Sequence, residues 1–177
     1  MLWKILCNQI FRNKIVLVKF TNFISDQELS YIESIIQSPK WKWKSNSTDP
    51  HSFWQIDDLK DDEFFSVRLL NRIKEATGDD FEVERIYMNG HTACSSEFPH
   101  QDSKQENGRT FLIYCNREWQ SEFGGGTAFV VDDEIATINP KPKSAIYFRN
   151  DVFHHATPLS KDFNGLRVTL AFKLYKI

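Results

Sequence analysis

The feature that most constrains the fold is a change of hydrophobic period to two after Phe81. From there on, short strand-like runs follow one another: FEVERIYM, TFLIYCN, GTAFVV, EIATI, SAIYF and LRVTLAFKL. Turn signals such as ENG, GGG and NPKP separate them. Alternation puts successive side chains on opposite faces of an extended chain, so each run predicts a short strand. The second half of the chain is therefore predicted to be a β-barrel or a β-sandwich.

Two helical patterns precede the strand-rich region. Ser25 and Glu28 form a capping box ahead of apolar residues at helical spacing, and Pro39 ends this first helix. The second pattern runs from about Asp62 to Thr77 and is closed by Gly78. Helices followed by many strands indicate an α+β protein, mainly β, in which N-terminal helices support a strand-rich body.

The chain is predicted to form one domain over residues 1–177, because its length is typical of a single domain and no repeat or linker interrupts it. Helical support is expected at about 22–80 and the strand-rich core at about 81–177. The run Ile15 to Phe20 predicts a strand ahead of the helices. The Trp-containing stretch 41–58 predicts loops and edge structure, and whether 41–63 forms a lid stays open.

Composition and charge exclude several classes. The net charge is −2 and no run of five like charges occurs, so no nucleic-acid partner is expected. Short, interrupted apolar stretches near the N-terminus argue against a signal peptide or a membrane span. Three cysteines without a CxxC pair argue against a disulfide scaffold or a cysteine zinc site. We expect a soluble, intracellular protein in the cytoplasm.

His100 and Asp102 form an HxD pair within FPHQDS. In an extended segment, side chains two residues apart project from the same face, so the imidazole and the carboxylate converge. Two histidines and one carboxylate on one face of a metal are the ligand set of non-haem Fe(II) oxygenases. The neighbouring His154 and His155 would supply the third ligand from a distant strand. The alternative is a chance HxD in a surface turn.

The last predicted strand has Arg167 on the same face as Thr169 and Lys173. The opposite face is apolar and contains Val168, Leu170, Phe172 and Leu174. A buried arginine needs an anionic partner, and its planar guanidinium suits a carboxylate, to which the Thr169 hydroxyl would add a donor. If this face is exposed instead, Arg167 and Lys173 are ordinary surface residues.

Four segments in this order resemble the prolyl 4-hydroxylase-like iron and 2-oxoglutarate oxygenases: YMNGHTACSSEFPHQD, RTFLIYCNREWQSEFGGGTAF, AIYFRNDVFHHATPL and FNGLRVTLAFKL. The resemblance covers roughly Phe81 to Leu174 and extends weakly to the N-terminal strand and helices. It implies a double-stranded β-helix, the cupin-like jelly roll, with helices packed against one outer face.

The resemblance also implies which residues bind the metal. The HxD ligands of the family match His100 and Asp102. The third ligand matches His154, because the family has a proline four residues after it, where Pro158 stands here. His155 then takes a variable position and is expected to point away from the metal.

Further residues match positions around the cosubstrate. Arg167, two residues after Gly165, matches the family's arginine that binds the 5-carboxylate of 2-oxoglutarate. Tyr114 resembles a tyrosine that hydrogen-bonds the same carboxylate, although the following Cys115 replaces the usual leucine. Tyr87 resembles an aromatic residue near the metal.

By this resemblance the protein is an oxidoreductase that uses Fe(II), 2-oxoglutarate and O2, with ascorbate as a reductant, and releases succinate and CO2. Asp102 favours hydroxylation, since members that halogenate carry a small residue in its place. The substrate would be a prolyl residue in a peptide or protein, or a small molecule. His91 and Arg149 are candidates to contact it, with a structural or exposed role as the alternative for each. No membrane partner is expected, and the oligomeric state stays open.

Two other functions would use parts of the same residue pattern. The first is a jelly-roll module that binds a ligand without turnover, and the complete set of matched residues argues against it. The second is a zinc hydrolase that uses the same three ligands, and Arg167 argues against that.

Overall fold

The structure, a computed structural model, describes residues 17–45, 52–131 and 134–177. The helices are α1 (Asp26–Ile36) and α2 (Leu70–Thr77). The strands are β1 (Leu17–Phe20), β2 (Lys42–Ser45), β3 (Ser52–Ile56), β4 (Phe81–His91), β5 (Gly108–Tyr114), β6 (Thr127–Val131), β7 (Glu134–Ile138), β8 (Ala145–Arg149), β9 (Phe153–Ala156) and β10 (Arg167–Lys176). The first two residues of the strand predicted at 15–20 lie outside the described residues.

The strands form two antiparallel sheets. The larger has seven strands in the order β1-β8-β5-β10-β4-β3-β2, and the smaller has three in the order β7-β6-β9. This is the predicted jelly roll. Strand β10 lies at the centre of the large sheet, between β4 and β5, which places Arg167 beside His91 and Thr169 beside Tyr114.

The two faces of β10 have different surroundings. Its apolar face belongs to the main core, in which Leu29 and Ile32 of α1 and Ile73 of α2 are also buried. The helices therefore cover one outer face of the large sheet, as the resemblance implied. A second cluster is buried on the other side and contains Tyr114, Phe129, Ile146 and Phe148. The polar face of β10 is buried as well, so the alternative in which Arg167 is an exposed surface residue is wrong.

Both helical patterns fold as predicted, with one difference in geometry. The Ser25 side chain accepts from the Glu28 backbone N–H at 3.2 Å, and the Glu28 carboxylate accepts from the Ser25 N–H at 2.9 Å. The second helix starts as a π-helical turn at Phe64–Leu69 before α2, and Gly78 ends it at φ 72°. Its wider first turn does not follow from the sequence pattern.

The stretch from Trp41 to Asp58 forms the predicted edge structure in its described part. Strand β2 is the edge of the large sheet and pairs only with β3 among the described strands. The region assigned to helical support thus also contributes two strands. Among the described residues, no helix is long and apolar enough to cross a membrane.

Candidate metal centre

Backbone pairing brings His100, Asp102 and His154 together. His100 lies in an extended segment that bridges to β9: its N–H donates to the His154 carbonyl at 3.0 Å, and the His154 N–H donates back at 2.9 Å. The Asp102 N–H donates to the Asn150 carbonyl at 2.9 Å. As a result, one potential ligand atom from each of the three side chains lies within 4.8 Å of the others.

The hydrogen bonds of the two imidazoles leave the same nitrogen free on each ring. His100 Nδ1 lies 2.9 Å from the Phe98 carbonyl, and His154 Nδ1 lies 2.9 Å from the Val152 carbonyl. A carbonyl oxygen only accepts, so Nδ1 carries a proton, and in the neutral imidazole Nε2 then keeps the lone pair. The Nε2 atoms of His100 and His154 are 3.8 and 3.5 Å from the carboxylate oxygens of Asp102. Two neutral imidazoles and a carboxylate with oriented rings suit a divalent transition metal.

His154 is expected to make the stability of the metal-free protein depend on pH. Burial, the largest effect, lowers the pKa of His154 from its ordinary 6.5 to about 4. The unfolded chain therefore binds this proton before the folded one, and the free energy of unfolding should fall as the pH drops from 6.5 towards 4, by up to about 1.4 kcal/mol per unit. Denaturant titrations across this range measure the slope. His154→Gln should flatten it, and an unchanged slope would contradict a buried neutral imidazole.

His100, Asp102 and His154 are called the triad below, and a buried lysine pairs with its carboxylate. Lys173 Nζ forms an ion pair with Asp102 Oδ2, and it donates to Thr110 Oγ1 at 3.0 Å. Thr110 Oγ1 in turn lies 2.7 Å from Asp102 Oδ2. Burial, the largest single effect, would raise the pKa of Asp102, but its neighbours, led by the charge of Lys173, together outweigh burial and hold the pKa well below its usual range. From the sequence, Lys173 was considered only as an ordinary surface residue, although its position on the Arg167 face was the available signal.

Arg167 is buried without a matching anion. One terminal nitrogen of its guanidinium is 3.3 Å from Thr127 Oγ1, the other is 3.5 Å from His91 Nδ1, and Nε has no partner in the described part of the chain. Among the described residues, no carboxylate forms an ion pair with it. A buried guanidinium held only by long, neutral contacts is costly, and this cost would be relieved by an anionic ligand.

The hydroxyl groups near Arg167 come from neighbouring strands. Tyr114 Oη is 2.8 Å from Thr127 Oγ1, and the Arg167 guanidinium lies 5.7 Å from the centre of the Tyr114 ring. Burial raises the pKa of Tyr114, so the phenol stays protonated. Thr169 and Thr127 both line the cavity beside Arg167. Thr127 was not singled out from the sequence, and its place directly after the GGG turn was the only signal.

His91 links Arg167 to an acidic residue that the sequence reading missed. Its Nε2 lies 3.1 Å from Glu97 Oε1, so Nδ1 is left to face Arg167. Glu97 Oε2 accepts from the Ala156 N–H at 3.2 Å. His91 thus lies at the end of the cavity where Arg167 is buried. Arg149, by contrast, forms an ion pair with Asp151 and is not among the described residues that line this cavity. A substrate contact for either residue stays a prediction.

One cavity contains both the three potential metal ligands and the guanidinium of Arg167. Its lining includes His100, Asp102, His154, Arg167 and Lys173, together with the hydroxyl-bearing residues Tyr87, Thr110, Thr127 and Thr169. An adjoining groove of about 460 Å³ shares Tyr87 and His100 and reaches Phe53, Phe98 and Gln101. The site is therefore accessible from the groove, with the guanidinium on the inner side.

His155 lies at the rim of the same cavity. Its Nδ1 is buried and has no hydrogen-bond partner among the residues that the structure describes, whereas His154 is the histidine whose Nε2 faces Asp102. The choice of His154 as ligand stays a prediction, supported by this geometry.

Gly125→Ala is expected to displace the side chain of Arg167. Gly125 has φ +66°, and a Cβ there would lie 2.6 Å from Leu159 Cδ2 and 3.0 Å from Arg167 Cδ. We expect a loss of about 2–3 kcal/mol in unfolding free energy and weaker 2-oxoglutarate binding. Gly78→Ala is the matched control: Gly78 has φ +72° but nothing within 4 Å of the added atom. It should lose only about 1 kcal/mol and bind normally. Equal losses would show that only backbone strain matters.

Comparisons with known proteins agree with this geometry. The family model described as the 2OG-Fe(II) oxygenase superfamily matches residues 85–173, half of the chain. No curated protein matches the chain significantly. The chain belongs to the 2OG-Fe(II) oxygenase superfamily, a class of oxidoreductases, which confirms the resemblance seen in the sequence.

Solved structures with the same fold include prolyl hydroxylases and an enzyme crystallised with a small molecule. The viral collagen prolyl hydroxylase of Paramecium Bursaria Chlorella virus-1, in complex with 2OG, is 15% identical, with 91% of this chain and 96% of that chain covered and a TM-score of 0.66. A Trichoplax adhaerens prolyl hydroxylase bound to a peptide fragment of hypoxia inducible factor is 14% identical, covering 93% and 84%, with a TM-score of 0.68. HygX from Streptomyces hygroscopicus, with nickel, 2-oxoglutarate and hygromycin B bound, is 11% identical, covering 90% and 82%, with a TM-score of 0.71. At these identities the likeness establishes the fold.

Proposed function

We propose that the protein is a hydroxylase that holds Fe(II) through His100, Asp102 and His154 and binds 2-oxoglutarate through Arg167. The observation that carries this proposal is that one cavity contains both two imidazoles close to a carboxylate and a buried guanidinium that pairs with no carboxylate among the described residues. A metal and a dicarboxylate match these two ends. Family membership supplies the reaction class.

Each residue has a defined task in this proposal. The free Nε2 atoms of His100 and His154 and one oxygen of Asp102 hold the metal. The guanidinium of Arg167 binds the 5-carboxylate, with hydroxyl donors from Tyr114, Thr169 and Thr127 around it, which the sequence reading expected for the first two. The buried walls keep water from the cosubstrate.

When bound, Fe(II) would supply the site at which O2, the oxidant, is activated, and 2-oxoglutarate would supply two electrons and leave as succinate and CO2. Ascorbate as a reductant remains a suggestion of the family resemblance. The protein itself contributes the geometry, the neutral state of the histidines and the enclosed cavity. A cytoplasmic location stays a prediction from the sequence.

The substrate is proposed to reach the metal through the groove that ends at His100. Its mixture of rings and polar side chains, including Phe53, Tyr87, Phe98 and Gln101, suits either a peptide or a small polar molecule. The matched solved structures include both kinds: a peptide is bound to one prolyl hydroxylase and hygromycin B to HygX.

A turnover assay tests the proposal. The purified protein is supplied with Fe(II), 2-oxoglutarate and air, and succinate release is measured with panels of proline-containing peptides, free amino acids and small polar molecules. We expect at least one panel member to stimulate succinate release and to gain one oxygen atom in mass. A ligand-binding module without turnover would form no succinate above the metal-free control.

A further inference from the structure

We propose that Lys173 is a positioning residue for the metal centre, which occupies Oδ2 of Asp102 and leaves Oδ1 as the single carboxylate oxygen available to a divalent cation. This inference rests on the proposed function, because it takes Asp102 as a metal ligand. It concerns how that ligand is held.

The two oxygens of the Asp102 carboxylate have unequal environments. Lys173 Nζ forms an ion pair with Oδ2, and Thr110 Oγ1 lies 2.7 Å from the same oxygen. His154 Nε2 is 3.5 Å from Oδ2, whereas the described contacts of Oδ1 are limited to His100 Nε2, at 3.8 Å. Because the ammonium already engages Oδ2, Oδ1 is the oxygen that can bind a metal without breaking a charge-assisted hydrogen bond.

The lysine is buried. Lys173 has a relative accessibility of 9%, and its two neighbours along β10 are buried as well. A buried ammonium is retained only where it is paired, and its partners here are Asp102, Thr110 and Tyr87. Its position on β10, six residues beyond Arg167, directs both cations into the same cavity.

The formal charges in the cavity lining are balanced. The described residues with formal charges in its lining are Glu97, Asp102, Arg167 and Lys173, which sum to zero with neutral histidines. Adding a divalent cation and a dicarboxylate preserves that balance. Without Lys173 the empty site would carry an excess negative charge on Asp102, which favours a cation and disfavours a dianion.

Removal of Lys173 should change metal affinity, an effect that a purely structural residue would not have. Lys173 and the metal are both cations that compete for one carboxylate, so removing the lysine charge should tighten metal binding. The metal-free variant should be less stable, because Asp102 loses its counter-ion, and the metal should then restore more stability than in the unchanged protein.

The experiment measures Mn(II) binding by electron paramagnetic resonance without oxygen, and the rise in melting temperature that Mn(II) causes. Lys173→Met removes the charge and the donor, Lys173→Gln keeps a donor, and Lys173→Arg keeps the charge. Lys176→Met is the matched control on the same strand, since Lys176 pairs with the distant Asp79. His154→Ala reports whether binding occurs at the triad.

We expect both neutral variants to bind Mn(II) roughly tenfold more tightly or better, with a larger thermal shift, while Lys173→Arg and Lys176→Met resemble the unchanged protein. Unchanged or weaker binding in Lys173→Met and Lys173→Gln would overturn the role of Lys173 and leave the proposed function intact. If the unchanged protein binds no Mn(II), or His154→Ala binds it equally well, the metal centre itself is wrong and both proposals fall. Should Lys173→Met not fold, Lys173→Gln carries the same comparison.

Discussion

Replacing His154 with alanine is expected to abolish metal binding and succinate formation, whereas replacing His155 should leave both nearly unchanged. The Nε2 atom of His154 is free, because Nδ1 is bonded to the Val152 carbonyl, and it lies 3.5 Å from Asp102. Loss of one of three protein ligands should weaken Fe(II) binding by roughly 100-fold or more, since the loss of an outer-shell partner alone costs about 10- to 100-fold.

The neighbouring histidine makes a demanding control. His155 shares the strand and the residue type with His154, so His155→Ala tests nonspecific damage to β9. Fe(II) binding measured by equilibrium dialysis without oxygen separates the two variants. The opposite outcome, with His155→Ala inactive and His154→Ala normal, would shift the register of the metal site by one residue.

Converting Arg167 to methionine is expected to raise the 2-oxoglutarate requirement by orders of magnitude while Fe(II) affinity stays close to normal. The guanidinium is buried, and Nε has no partner within the described protein, so an arriving carboxylate would complete its hydrogen bonds. Losing one partner of a buried charge pair costs about 2–5 kcal/mol, which is roughly 30- to 4000-fold in affinity. Isothermal titration calorimetry with 2-oxoglutarate, carried out without oxygen, measures the change in affinity.

Arg117→Met is the control for this prediction. Unlike Arg167, Arg117 is exposed and pairs with Glu33 of α1, and it is not among the described residues that line the cavity. It should bind 2-oxoglutarate normally. If Arg167→Met also binds normally, the anchor lies elsewhere in the cavity, and Lys173 becomes the next candidate.

Most of the fold could be predicted because local patterns agree with it. The capping box at Ser25, the Gly78 terminus and the alternating segments after Phe81 each have a physical meaning that survives in the structure. The π-helical start of the second helix could not be predicted, since it depends on packing rather than on period. Pairing order is also non-local: β10 lies between β4 and β5, which are far from it in sequence.

The candidate site was predictable where spacing carries chemistry, and less so where a second partner decides the role. The HxD spacing indicates that His100 and Asp102 converge. By contrast, Glu97 became visible only through its contact with His91, and Lys173 only through its pairing with Asp102. In the sequence, a single charged residue in a strand looks the same whether its side chain faces solvent or another charge. Three-dimensional context therefore supplied the supporting residues of the site.

The central claim is that the triad and Arg167 serve one metal–cosubstrate pair. The most direct measurement is the visible absorption spectrum of the protein after Fe(II) and 2-oxoglutarate are added together without oxygen. Chelation of Fe(II) by 2-oxoglutarate in the cavity should produce a metal-to-ligand charge-transfer band that neither addition gives alone and that His154→Ala lacks. A spectrum without such a band, from folded protein at saturating concentrations, would contradict the account.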